Sequence, residues 1–257
     1  MSAARERRHG QVGIDRLIRL EWLERTVYLV LAGNQAHEIK AVLQEELSGA
    51  FRSTNADVRG SLDKTITILL RIWAIFPGNI DPLRNDGLDL LSRLPRRNHI
   101  AIHWGMTMAI YPFWGEIATH TGRLLRLQGT ASSVQIQRRA QEQFGERETV
   151  SRRVRYVLRS FISWGVLEET QAKGTYRPGK HYLIEDPIVI AWMLEASLLA
   201  QGNGSADARY LLRSPSMFPF RLSHISPEQL TLLSPRLNVF RHGLDEDLIM
   251  LRDNVIT

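Results

Sequence analysis

Three glycines, Gly129, Gly145 and Gly165, cut the stretch 113–184 into helix-sized pieces, and this punctuation constrains the fold more tightly than any other feature of the chain. Glycine takes up the left-handed backbone on which many helices end. A first helix is expected over 113–128, closing at Gly129. Ser132, with Gln135 three residues on, has the spacing of a capping box and opens a second helix over 133–144. Its Val134, Ile136, Ala140 and Phe144 are expected to face a core. After Glu146-Arg147-Glu148 a third helix is expected over 149–164. There Val150, Val154, Val157, Leu158, Phe161 and Ile162 recur with helical period. Beyond Gly165 come Val166-Leu167, a charged run, Lys173-Gly174 and Thr175-Tyr176-Arg177, which read as a β-hairpin with a basic tip. Helices and hairpin in this order describe a winged helix-turn-helix.

The same stretch holds the basic surplus of the chain. Residues 123–180 carry twelve Lys or Arg against five Asp or Glu, a surplus of seven; the whole chain is only +6, so the remainder is slightly acidic. A basic excess confined to one module is the electrostatic footprint of a nucleic-acid face. On the third helix Arg152, Tyr156, Arg159 and Ser163 fall opposite the apolar stripe, Arg155 flanks them and Arg153 sits nearer the boundary. Arginine can hold a phosphate or a guanine edge with two hydrogen bonds at once, and a helix fits the major groove. Arg138 and Arg139 on the second helix, Arg147 in the turn, and Lys173, Arg177 and Lys180 around the wing are expected over flanking phosphates. Duplex DNA is therefore the expected partner. The rival readings are a solvated arginine face, in a chain with 29 Arg to 4 Lys, and a protein-binding winged helix.

Residues 15–112 read as a helical bundle, preceded by a basic, disordered N-terminus over 1–14. Its helices are expected over 15–32, over 35–47 with Asn34 as cap, over 55–75, from Asp81-Pro82 to about 94, and from Asn98 to about 110. The turn at Ala32-Gly33-Asn34 reads as a plain αα-hairpin in preference to a second DNA-binding motif. Residues 185–257 read as a helical C-terminal extension. Asp186-Pro187 starts a helix to about 200, 201–206 (QGNGSA) is a flexible link, and Ser226-Pro227 opens another helix. The segment 214–221, with Met217, Phe218 and Phe220, is expected to cross a domain surface or hold a partner. Asp245-Glu246-Asp247 reads as the first turn of a helix. The expected fold class is thus mainly α with a small β-hairpin wing.

Motifs for catalysis are missing. The sequence has no phosphate-binding loop, dinucleotide fingerprint or nucleophile elbow, and no cysteine for a thiol nucleophile, a disulfide or a zinc thiolate. His99 and His103, like Glu116 and His120, have the i,i+4 spacing that can hold a metal. Trp104, Met106, Met108 and Tyr111 around the first pair favour a core helix instead. No catalytic residue, metal or cofactor is expected, and the chain reads as a non-enzyme. The uncharged run 100–115 is too short for a membrane span and the N-terminus lacks the apolar region of a signal peptide, so a cytoplasmic location is expected.

Several short motifs follow one another along the chain. They are L-A-G-N-x-x-x-E-I-K from Leu31 to Lys40, R-S-T from Arg52 to Thr54 and the Tyr111-Pro112-Phe113 step. S-R-R-V-R-Y-V-L-R-S from Ser151 to Ser160 and W-G-V-L from Trp164 to Leu167 complete the set, which in its order resembles the BrxA-type accessory proteins of BREX phage-defence systems. The resemblance spans about 15–185 and leaves some 70 residues beyond it. It implies a non-enzymatic DNA-binding protein acting beside other defence-system proteins, with the face around Arg152 to Arg159 as its site. The alternative is an adaptor or transcriptional regulator that holds proteins through the winged helix and the 214–221 segment.

Overall fold

The structure, a computed structural model, describes residues 12–51, 57–75, 80–242 and 246–252. It is mainly helical, with eleven α-helices and eight short strands among the described residues. The sequence locates most helices to within a residue or two. The first four are α1 (Leu20–Leu31), α2 (Ala36–Leu47), α3 (Asp57–Trp73) and α4 (Asp81–Arg93). They are followed by α5 (His99–Ile110) and α6 (Pro112–Gln128), and then by strand β1 (Ala131–Ser132), α7 (Ser133–Phe144) and α8 (Glu148–Ser163).

The core is organised around two helices with no polar face. In α5 every residue from Ile100 to Ala109 is buried, and in α9 (Pro187–Ala200) every residue from Val189 to Leu199 is buried. A helix apolar all round must be surrounded, and these two pack on each other while α3, α4 and α6 enclose them. Asp186 caps α9 as its sequence suggests, accepting from the Ile188 N–H at 2.9 Å. Trp104 of α5 is the hub. Its ring lies within 4.9–5.9 Å of those of Trp114, Phe161, Trp164, Phe218 and Phe220. Among the described residues no helix is long and apolar enough to cross a membrane.

Several expectations are corrected. Helix α1 starts at Leu20, not near Asp15, because residues 12–19 are held elsewhere. The Ile18 N–H donates to Ser160 Oγ at 2.9 Å, Trp164 Nε1 donates to the Ile18 carbonyl at 2.9 Å, and Ile14 and Ile18 are fully buried. Ile14 is therefore core, although it falls in the stretch expected to be disordered; residues 1–11 lie outside the described residues. Asn34 does not cap α2. Its side chain donates to the Leu29 carbonyl at 2.9 Å, and Gln35 with Glu38 forms the capping box.

Further corrections concern the C-terminal segment, which is only partly helical. Strand β4 (Tyr182–Ile184) pairs in parallel with β6 (Phe220–Leu222). A separate antiparallel sheet has the order β5 (Ser205–Asp207), β8 (Glu246–Leu251), β7 (Leu237–His242). Between the strands lie α10 (Ala208–Leu212) and α11 (Pro227–Leu233), the latter with the Ser226–Gln229 capping box. Asp247 thus sits in a strand, where burial of Ile249 and Leu251 alternates with the more exposed positions between them; Asp245 is outside the described residues. The expected link is partly locked as well: Gly204 is buried and its carbonyl accepts from the Leu251 N–H at 3.0 Å. Residues 214–220 are buried and cross the surface of α6 within the chain, while Arg221 is exposed. Met217, Phe218 and Phe220 enter the core, and the Ser216 carbonyl accepts from Trp104 Nε1 at 3.1 Å.

A buried ion pair fixes the C-terminal segment to the helices. Glu195 of α9 is 1% exposed; it accepts from Arg236 Nε at 2.6 Å and from Ser234 Oγ at 2.9 Å, and Arg236 also meets Asp86 of α4. A buried carboxylate persists only with such full pairing.

Two glycines test this packing with opposite signs. A Cβ on Gly122 of α6 would stand 2.1 Å from the Pro215 carbonyl oxygen, whereas one on Gly60 of α3 would meet nothing within 4 Å. Gly122→Ala is expected to destabilise by about 1–3 kcal/mol or more. Gly60→Ala is expected to stabilise by about 0.5–1 kcal/mol. Thermal melts of both variants check this, and equal shifts would contradict the docking of 214–221 on α6.

Candidate nucleic-acid interface

Helices α6, α7 and α8 pack on one another and carry a three-stranded sheet on one edge. The expected hairpin forms: β2 (Leu167–Glu169) pairs antiparallel with β3 (Thr175–Pro178), Glu168 opposite Arg177. Strand β1 joins on the other side of β3, Ala131 opposite Tyr176. The hairpin tip is tied to the start of α7, where the Ser133 N–H donates to the Gly174 carbonyl at 2.8 Å. Gly174 supplies the left-handed turn this needs, at φ +75°.

The expected capping box does not form. Ser132 holds the N-cap position without a side-chain cap, and Gln135 instead accepts from Gln128 Nε2 at 3.1 Å. Val134 is likewise corrected. It is 75% exposed, because Ser133, Ile136 and Ala140 form the buried row and Val134 points about 100° away from it.

On α8 the stripe Val150, Val154, Val157, Leu158 and Phe161 is buried, with Ile162 partly so. Arg152, Arg155, Arg159 and Ser163 are exposed on the other side, and Arg153 is half-buried. Tyr156, expected to be open, is also half-buried. The Arg16 guanidinium lies over its ring, 5.9 Å from the centroid, and also donates to Ser61 Oγ at 3.1 Å. Arg16 was not identifiable from sequence, since no local pattern links positions 140 residues apart.

The cations of this face fall into two groups. Arg138 and Arg139 share Glu142, at 3.1 and 3.2 Å; Arg155 meets Glu148 at 2.9 Å, and Arg177 meets Glu168 at 2.7 Å. These pairs are solvent-exposed, and such pairs are worth about 0–1 kcal/mol, so the arginines can exchange onto another anion. Arg147, Arg152, Arg153, Arg159, Lys173 and Lys180 form no ion pair among the described residues. The structure therefore brings the candidate residues of α8, the hairpin and α7 into one three-helix unit.

The histidines have structural partners. His99 and His103 converge on Glu24 of α1: His99 Nδ1 is 3.1 Å from its carboxylate and His103 Nε2 is 3.3 Å from Oε1. His103 Nδ1 accepts from Trp73 Nε1 at 3.1 Å, which leaves the proton on Nε2, facing Glu24, and no free lone pair for a metal. Burial raises the Glu24 pKa, but hydrogen bonds and charge from His103 and His99 outweigh it and hold the carboxyl at about 2. Burial pushes His103 below its ordinary value, against the pull of Glu24. On α6, burial raises Glu116 and lowers His120, beside Gln143 of α7.

Both members of the α1–α5 contact make the protein acid-sensitive. Glu24, ordinarily near 4.5, contributes stability above that pH that is lost as pH falls towards about 2. His103, depressed from 6.5, resists the proton that the unfolded chain takes up, so stability also falls as pH drops below 6.5. The melting temperature is expected to decline from pH 7 to pH 4, and Glu24→Gln to be less stable at pH 7 with a flatter acid limb. A wild-type profile flat over that range would contradict the assignment.

Comparison with family models, with curated proteins and with solved structures finds no match to this chain.

Proposed function

We propose that this chain is a non-enzymatic DNA-binding accessory protein. In this reading α6, α7, α8 and the β2–β3 hairpin act as a winged helix-turn-helix, with α8 entering the major groove and the hairpin lying over the adjacent backbone. The observation that carries it is the row Arg152, Arg155 and Arg159 on the outer face of α8, flanked by Lys173 and Lys180 at the hairpin. Arg152, Arg159, Lys173 and Lys180 have no carboxylate partner among the described residues, which suits phosphate contacts, and guanidinium groups suit guanine edges. The motif order resembling BrxA-type proteins supports a role beside other proteins of a phage-defence system. The rival adaptor reading loses most of one of its two surfaces, since Ser214 to Phe220 are buried inside the chain.

Binding to duplex DNA across a salt series tests the proposal. With four to six phosphates contacted, log K is expected to fall with log[salt] at a slope of about −4 to −5. Arg152→Ala with Arg159→Ala is expected to weaken binding while shifting stability by no more than about 0.5 kcal/mol, as both side chains are exposed. Phe161→Ala, at a fully buried site, is expected to cost about 3–5 kcal/mol of stability. No duplex binding at low salt, or capture of a protein partner that the double arginine variant loses while its DNA binding persists, would overturn the DNA assignment in favour of the adaptor.

A further inference from the structure

The outer face of α8 carries a carboxylate among its arginines. Glu148, Arg152, Arg155 and Arg159 stand at successive intervals of four, three and four residues, which places them in one row along the helix. The Arg155 side chain reaches back two turns to put Nη2 2.9 Å from Glu148 Oε1. Both side chains remain open to solvent, 52% and 76% exposed, so the pair adds little to stability. It does give Arg155 a direction that Arg152 and Arg159, with no carboxylate partner among the described residues, lack. Glu148 also sits in the first helical turn, where an acid is favourable without any partner. That role alone explains the carboxylate but not the long reach of Arg155 towards it.

A carboxylate on a face that meets phosphates is a liability unless it finds a donor. In the major groove a G·C pair offers guanine O6 and N7 as adjacent acceptors and cytosine N4–H2 as a donor beside them. Arginine bidentate on guanine and glutamate accepting from cytosine are each favoured pairings. A guanidinium and a carboxylate already side by side on one helix match that edge in chemistry. Among the other internal pairs of the surface, Arg138 and Arg139 share a single carboxylate on α7, and Arg177 and Glu168 face each other across the hairpin. Only the Glu148–Arg155 pair lies on α8.

The geometry points to Glu148 and Arg155 of α8 as a specificity pair that reads one G·C base pair, Arg155 on guanine O6 and N7 and Glu148 on cytosine N4–H2. The unpaired Arg152 and Arg159 then hold phosphates. This rests on the DNA-binding reading and deepens it by naming what in the duplex is recognised.

The test begins with selection of the preferred duplex by the full-length protein from a randomised pool. Affinities follow for the selected site and for copies with the G·C pair replaced by A·T or its guanine by 7-deazaguanine. Wild type is expected to prefer the G·C site by about 5- to 150-fold, and to lose much of that preference on 7-deazaguanine, which lacks the N7 acceptor. Arg155→Ala and Glu148→Ala should each reduce the G·C-to-A·T ratio, and the double variant should be no worse than Arg155→Ala alone. Arg152→Ala should weaken both duplexes equally and leave the ratio intact. Both tested positions are exposed, and unchanged melting temperatures confirm that each variant folds. A ratio unchanged in Arg155→Ala, or a Glu148→Ala variant that binds every duplex more tightly at the same ratio, overturns the pair as a reader. Duplex binding by wild type with no G·C position overturns this inference alone, whereas no duplex binding at all overturns the reading beneath it.

Discussion

Helix α5 has no polar face, and the rest of the molecule is arranged to cover it. A helix of this kind gains from burial on every side, at about 25 cal/mol per Å² of apolar surface removed from water. Helix α9 meets it along one side with the same all-round apolar character, and close approach is possible because Gly105 leaves room for the Trp192 ring; a Cβ there would lie 2.5 Å from it. Trp104 then ties the centre to both neighbours, reaching Trp114 on α6, Phe161 on α8 and Phe218 and Phe220 of the returning chain.

This has a consequence for the basic face. Helix α8 is anchored behind by Phe161 in the aromatic cluster and at its C-terminal end by Trp164, whose indole donates to Ile18. Residues 12–19 run along the same helix through Ile18–Ser160 and Arg16–Tyr156. The arginine row is thus presented by a helix whose inner side is fixed from the core, from the N-terminal segment and from the segment 214–221. A recognition surface benefits from such support, because side chains on a rigid element lose less freedom on binding.

The electrostatics of the face are less uniform than its charge surplus suggests. Four arginines already share three carboxylates, while six other cations have none among the described residues. In water these exposed pairs are weak. They still separate side chains with a preferred orientation from those without one.

The sequence alone determined the helices and the hairpin. Local rules produce these features, and they are visible locally: glycine stops at 129, 145 and 165, the Asp186-Pro187 start of α9, and the 3.6-residue stripe of α8 with its arginines opposite. Tertiary structure decided what depended on distant partners. Residues 12–19 bind α8 across more than 140 positions and so do not extend α1. Ser133 binds the hairpin tip, and Ser132 caps nothing. Ser205–Asp207, Leu237–His242 and Glu246–Leu251 form a sheet where local propensity suggested the end of a link and helical chain, because strand pairing draws its hydrogen bonds from residues far away in sequence. Tyr156, an open position in the sequence reading, is covered by Arg16, and the segment from Ser214, expected to cross a domain surface or hold a partner, crosses α6. Periodicity fixes which side of a helix is apolar, but only the assembled fold decides what lies over the other side.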